Sequence, residues 1–189
     1  RLGEVWEYDE GRWSRFADGL QEPLGVLVDP ASGSAYVGQK PELTELTDMD
    51  GDGAADVYRT ITSAWGFSGN YHEYVFGPVR DRAGNFYLTL NLAAIGGGPG
   101  SVRKSVMAHP IDWRGWCVQV TPDGGFVPFA SGLRSPAGIG ISPDNEVFVT
   151  DNQGDWVATS RLFHIEKGGF YGHPSALADT PEYRDRDLD

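Results

Sequence analysis

Four aspartates in Thr47–Tyr58, TDMDGDGAADVY, carry the clearest chemistry in this chain. Asp48, Asp50 and Asp52 alternate, and Asp56 follows after a wider gap. Calcium is a hard cation that takes about six to eight oxygens, many from carboxylates spaced two apart on a tight turn. Asp48, Asp50 and Asp52 fit the first three ligand positions, the Ala54 carbonyl a backbone ligand, and Asp56 a ligand acting through water. Gly53 allows the sharp bend. A helix-flanked calcium loop would carry Glu at its twelfth position, where this chain has Arg59. We therefore expect a calcium loop between strands, with a structural role. The competing reading is a solvated acidic turn, because Asp and Gly are ordinary turn residues. Repulsion among four close carboxylates favours the cation. Asp151, Asn152 and Asp155 form a second oxygen-rich turn, a candidate for a second calcium or for substrate. An Asx-turn closing a hairpin is the alternative there.

The histidines are scattered. His72 stands at the edge of an expected strand beside Glu73, and His164 alternates with Phe163 and Ile165 as a strand residue would. His173, between Gly172 and Pro174, lies on an expected loop and is a pocket candidate, whereas His109 has no evident partner. Cys117 is the single cysteine, which excludes an internal disulfide and a zinc cluster. It reads as a small core residue. The sequence has no C-x-x-C-H haem site, no phosphate loop and no H-E-x-x-H, so hydrolase and kinase readings are weak.

The 189 residues suffice for one domain, or a large piece of one, with its own core. With 40% hydrophobic and 22% charged residues, the chain is of a soluble globular kind. Its 26 Gly, 12 Pro and 12% aromatics suggest many short strands joined by turns. A net charge of −12 argues against nucleic acid and anionic membranes as partners. No apolar run approaches the roughly 18 residues needed to span a bilayer. The chain starts at Arg1 and ends in RDRDLD. It reads as a processed or excerpted segment, so a missing signal peptide does not point to the cytoplasm.

These side chains need a scaffold, and the sequence repeats suggest one. GEVWEY (3–8) alternates apolar and polar residues, turns at Asp9-Glu10-Gly11, and returns through Trp13 to Phe16 as a hairpin. The string at 16–39 recurs at 129–152. Phe16-Ala17 matches Phe129-Ala130, Gly19-Leu20 matches Gly132-Leu133, and Pro23-x-Gly25 matches Pro136-x-Gly138, all at one offset. A weaker copy occupies 76–91, and Tyr36, Tyr87 and Phe148 mark the three copies. Mostly-strand repeats of about 40–50 residues predict a β-propeller. The chain would then be a single all-β domain over 1–189 with about three to three and a half blades, fewer than the four to eight of a closed ring. The glycine-rich stretch within 92–112 is expected to be a long loop leaving the ring. An open arc exposes edges and core, so the remaining blades are expected from a longer chain or a partner chain.

Four strings resemble one known group: PELTELTDMDGDGAADVY (41–58), GFSGNYHEYVFGPVRDRAGNFYLTLN (66–91), RGWCVQVTPDGGFVPFASGLRSPAGIGISPDNEVFVTDNQGDW (114–156) and LFHIEKGGFYGHP (162–174). The group comprises large secreted propeller proteins of planctomycetes and related bacteria, called membrane-bound dehydrogenases. More distantly the strings resemble soluble sugar and sorbosone dehydrogenases that use pyrroloquinoline quinone. The resemblance implies a six-bladed quinoprotein-type propeller, bound calcium and an extracytoplasmic (periplasmic or secreted) location. It also implies a small sugar or alcohol substrate and a haem c electron acceptor outside this segment. By the same resemblance His72, shortly before Phe76-Gly77-Pro78, would be the general base, although it stands closer to the Gly-Pro than the pattern has it. A histidine suits proton transfer near neutral pH. Arg134 would pair with a quinone carboxylate, and Trp65, Tyr71 and Trp156 would stack on a flat ring or sugar face. Asn152 and His173 fall in strings similar to the dehydrogenases' cofactor-side series, with Ser135 and His173 departing from it. A redox domain is therefore expected. The alternative is a calcium-stabilised propeller that binds carbohydrate or protein without catalysis.

Overall fold

A computed structural model of the chain describes residues 3–94, 111–152 and 159–179. Strands β1 (Gly3–Asp9) and β2 (Arg12–Leu20) form a hairpin. Next comes a four-stranded sheet of β3 (Gly25–Val28), β4 (Ala35–Gly38), β5 (Leu43–Thr47) and β6 (Val57–Thr62). A second contains β7 (Val75–Arg80), β8 (Phe86–Leu90), β9 (Trp116–Val120) and β10 (Phe126–Ala130). The last described sheet has β11 (Pro136–Ile141), β12 (Val147–Asn152) and β13 (Ser160–Ile165), followed by a 3-10 helix at Pro174–Asp179. Every sheet is an antiparallel meander in chain order. The opening strands β3, β7 and β11 lie beside one another, as the innermost strands of consecutive propeller blades do. The chain is all-β and forms part of a β-propeller.

The repeat has a local cause. Each copy supplies the first two strands of one blade and the tight turn between them. A short polar side chain caps that turn by accepting backbone N–H groups. Asp29 accepts from Ala31 at 2.9 Å, Asp81 from Asn85 at 2.8 Å, and Ser142 Oγ from Asp144 and Glu146 at 3.2 and 3.1 Å.

Alternation along the strands then fills three apolar layers, one between each pair of neighbouring sheets. Ala17 and Leu20 of the hairpin meet Ala35, Val37 and Leu46. Leu43, Phe86, Leu88 and Val118 fill the next layer, with Leu27 and Tyr36 against them. Tyr87, Cys117, Val147 and Val149 fill the third. Cys117 is thus a core residue, and burial pushes its thiol up to about 12. Among the described residues, no such layer covers the two outer flanks. Val26 and Val28 of β3, with Trp6, Tyr8 and Trp13 of the hairpin, are exposed on one side, and Leu162 on the other.

Around the axis the inner strands approach closely. A Cβ added to Gly25 or Gly38 would collide with the Gly77 carbonyl. Gly38→Ala is therefore expected to cost about 1–3 kcal/mol, because backbone rather than a flexible side chain must yield. A lower urea midpoint at unchanged m value would show it.

Candidate functional site

The meander sorts the connections onto two ends of the ring. Turns between first and second strands, and between third and fourth, lie at one end, here called lower. Connections from second to third strands, and from one blade to the next, lie at the other. This upper end carries residues 39–42, 63–74, 91–94, 111–115 and 131–135.

The segment 63–74 leads into β7 without pairing as a strand, yet hydrogen bonds tie it at Trp65, Gly66, Ser68, Asn70 and His72–Tyr74. Asn70 Oδ1 accepts from His72 N at 3.0 Å and Ala94 N at 3.2 Å, while Asn70 Nδ2 donates to Ala94 O at 2.7 Å. His72, half-buried, places Nδ1 3.1 Å from the Leu92 carbonyl. A carbonyl only accepts, so Nδ1 carries a proton, and in the neutral ring Nε2 is then the basic atom. Tyr71, 67% exposed, meets the His72 ring edge-on at 5.7 Å, and Tyr74 lies 5.6 Å away on the same ring. Trp65 is placed differently from the expectation. It is 4% exposed inside the core, donating Nε1 to Lys40 O at 2.9 Å, and cannot stack on a ligand. The wide apolar area that suits an indole to a stacking platform is worth more in the core.

Arg134, Ser135, Asp151 and Asn152 gather one blade further on. Asp151 is buried, and its two oxygens accept from Arg134 N at 3.0 Å and Ser135 N at 2.8 Å. Burial raises its carboxyl above the usual range, opposed by those two amides and by the charge of His173. Here Asp151 clasps the 131–135 loop. Arg134 Nη1 donates to Asn152 O at 3.1 Å and to Ser135 Oγ at 3.3 Å. His173 is fully buried, with its N–H bonded to Gly132 O at 2.9 Å. It is packed inside, not presented to an open pocket. His164 stacks on Phe148 at 5.1 Å as a strand residue. Asp155 and Trp156 lie outside the described residues, as do His109 and most of the expected 92–112 loop.

The aspartate loop connects β5 to β6 at the lower end, away from His72. Carboxylate oxygens of Asp48, Asp50 and Asp56 lie within 4.8 Å of one another. Three hard oxygen donors converging on a tight turn fit a calcium ion. Asp52 is not in that group. Its Oδ1 accepts from Ala54 N at 2.9 Å. Asp48 accepts from Gly51 and Gly53 at 2.7 and 2.9 Å, and these amides, Gly53 first, hold its carboxyl below the usual range.

A quinone with three carboxylates would need cations near the axis. Lys40 and Arg114 are at the upper end but buried: Lys40 Nζ donates to Asn70 O at 3.0 Å and pairs with Glu22 at 2.7 Å. Arg114 donates to the carbonyls of Gly66, Glu73, Tyr74 and Lys40 at 2.8–3.4 Å. Burial pushes its guanidinium down to about 10 against the charge of Glu73, so it stays protonated at neutral pH. Arg80 is at the lower end, paired with Asp29 at 2.9 Å, and Arg161 is on β13, away from the axis. Among the described residues, Arg134 is the half-exposed cation beside the axis. One guanidinium does not balance a tricarboxylate. The fit to the quinone is therefore partial, and the remaining positive lining would come from residues outside those described.

Beside Glu73, which adjoins His72 in sequence, Arg114, Lys40 and Asn70 hold the His72 segment without any signal in the sequence. Their partners are mostly backbone carbonyls far along the chain, which leave no spacing to read.

The fold and the sorting of its loops define part of a β-propeller. Residues 8–181 match the family described as Domain of unknown function (DUF7133), and the chain belongs to it. A similar solved structure is a Thermus thermophilus protein proposed to be an oxidoreductase (glucose dehydrogenase). It has TM-score 0.64 and 18% identity, covering 92% of this chain and 58% of that one. The soluble aldose sugar dehydrogenase of Escherichia coli, in its apo form, gives TM-score 0.62 and 16% identity over 90% of this chain and 57% of that one. The calcium-binding regucalcin of Agrobacterium tumefaciens gives 0.56 and 13%, over 90% and 55%. This chain thus spans a little over half the length of these structures. No curated protein sequence matches significantly. Among the described residues no helix is long and apolar enough to cross a membrane.

Proposed function

We propose that this chain is the His72-bearing part of an extracytoplasmic, sugar- or alcohol-oxidising propeller of the quinoprotein kind. The observation that carries it is the Nδ1 bond from His72 to the Leu92 carbonyl. It keeps a proton on Nδ1, so that in the neutral ring Nε2 is the atom that can accept a substrate hydroxyl proton, beside the exposed ring of Tyr71. A bound quinone supplies the sink for the electrons, with a haem c domain or protein as the next acceptor. Calcium at Asp48, Asp50 and Asp56, with Ala54 and Asp52 adjoining, stabilises a blade and takes no part in chemistry, since it lies at the opposite end. Asp151, with both oxygens on backbone amides, supports a structural clasp in place of a second calcium. The missing blades are supplied by the rest of a longer chain, or else by a partner chain.

A second reading has support of its own. The burial of Lys40 and Arg114 takes two cations from the end where a quinone would sit, which favours a calcium-stabilised propeller that binds carbohydrate or protein without turnover. An absorption spectrum of the natural full-length protein, with calcium, pyrroloquinoline quinone and a sugar panel added in turn, separates the two. A quinone band bleached by one sugar supports the dehydrogenase. A spectrum unmoved by quinone and sugars sinks it and leaves the binding reading.

A further inference from the structure

The segment 66–74 is held by two buried cations that donate to its own backbone. Arg114 is 1% exposed and Lys40 2% exposed. Between them they donate to the carbonyls of Gly66, Asn70, Glu73 and Tyr74, so bonded carbonyls stand on both sides of His72. Glu73, fully buried, accepts from Ser68 N at 2.8 Å and Ser68 Oγ at 2.7 Å and provides the countercharge. Arg114 reaches inward from a turn in which Trp113 adopts φ 64°. A bulky residue in the left-handed region is a strained backbone that its surroundings must hold in place. The same turn returns a bond, since Gly66 N donates to Asp112 O at 3.1 Å.

Taking two cations out of water to bond main-chain carbonyls is a costly way to fix a loop that apolar packing could hold. The outcome is a loop with little freedom, whose distinctive group is a histidine of fixed tautomer. We infer that Arg114 and Lys40 are positioning residues for His72. By clamping the backbone around it they keep Nδ1 on the Leu92 carbonyl, which leaves Nε2 as the basic atom, and neither cation touches substrate. This inference rests on the proposed role of His72 for its functional meaning, but the clamp can be tested without activity.

The experiment uses the natural full-length protein with ¹⁵N-labelled histidine. His72→Asn assigns the His72 signals, and Arg114→Lys, Arg114→Met and Lys40→Met are compared with wild type. Wild type is expected to show His72 as the Nδ1–H tautomer, and Arg114→Met and Lys40→Met to move it to a mixture with the Nε2–H form. Arg114→Lys keeps one donor in place and is expected to rescue in part. With glucose as probe and a dye as acceptor, kcat is expected to fall about 10–100-fold in Arg114→Met at little changed KM, the usual size of an effect acting through a neighbouring group. If Arg114→Met fails to fold, Lys40→Met, which keeps the apolar stem, decides. An unchanged tautomer in the folded variants, or a wild-type His72 protonated on Nε2, overturns the clamp. Wild-type turnover in His72→Asn would instead overturn the role of His72, while the tautomer shift would still support the clamp.

Discussion

Replacing His72 with asparagine is expected to lower the turnover of a sugar or alcohol by about 10²–10⁴-fold, the span a positioned general base contributes. Asparagine suits this test because its amide nitrogen can occupy the place of Nδ1 and keep a bond to the Leu92 carbonyl. The loop therefore retains its anchors at Asn70 and Arg114. What disappears is the basic Nε2. Steady-state kinetics on the full-length protein with a dye acceptor would measure the loss, and circular dichroism would check the fold. A kcat within about threefold of wild type would remove His72 from the chemistry. In the binding reading the variant has no turnover to lose.

Calcium is expected to raise the melting temperature by about 5–10 °C once its concentration is some hundredfold above Kd, as mass action on the folded state requires. Asp48→Asn and Asp50→Asn each remove a charged oxygen donor from the converging set and should abolish most of that rise. Asp52→Asn should matter less, since Asp52 is outside the group. The pH dependence of the calcium-free protein has a defined sign. The amides of Gly53 and Gly51 depress the Asp48 carboxyl, so its contribution is fully present above the ordinary carboxylate value, about 3.9. It is lost as pH falls through the lowered folded value. Asp48→Asn should flatten that acid limb. Melting curves from pH 2 to 6, with and without calcium, would show both effects, and a calcium-insensitive wild type would sink the metal site.

The architecture was legible because its signals are local. A turn-capping Asp29, Asp81 or Ser142 followed by an aromatic strand recurs wherever a blade begins, and strand alternation assigns Leu27 and Val26 to opposite faces without further information. The aspartate loop was legible for the same reason, since its ligands are neighbours in sequence. The sequence by itself therefore determined an incomplete propeller with an acidic loop suited to calcium. Only the tertiary structure decided which groups share an end of the ring. Asp52 separates from its neighbours because backbone direction, not spacing, aims a carboxylate. Trp65 goes to the core and His173 is buried, because their surroundings are built by strands distant in sequence. Lys40 and Arg114 become holders of the His72 segment for the same reason. Their carbonyl partners carry no side-chain signature, and burial, which turns a surface cation into an anchor, exists only once the blades have packed.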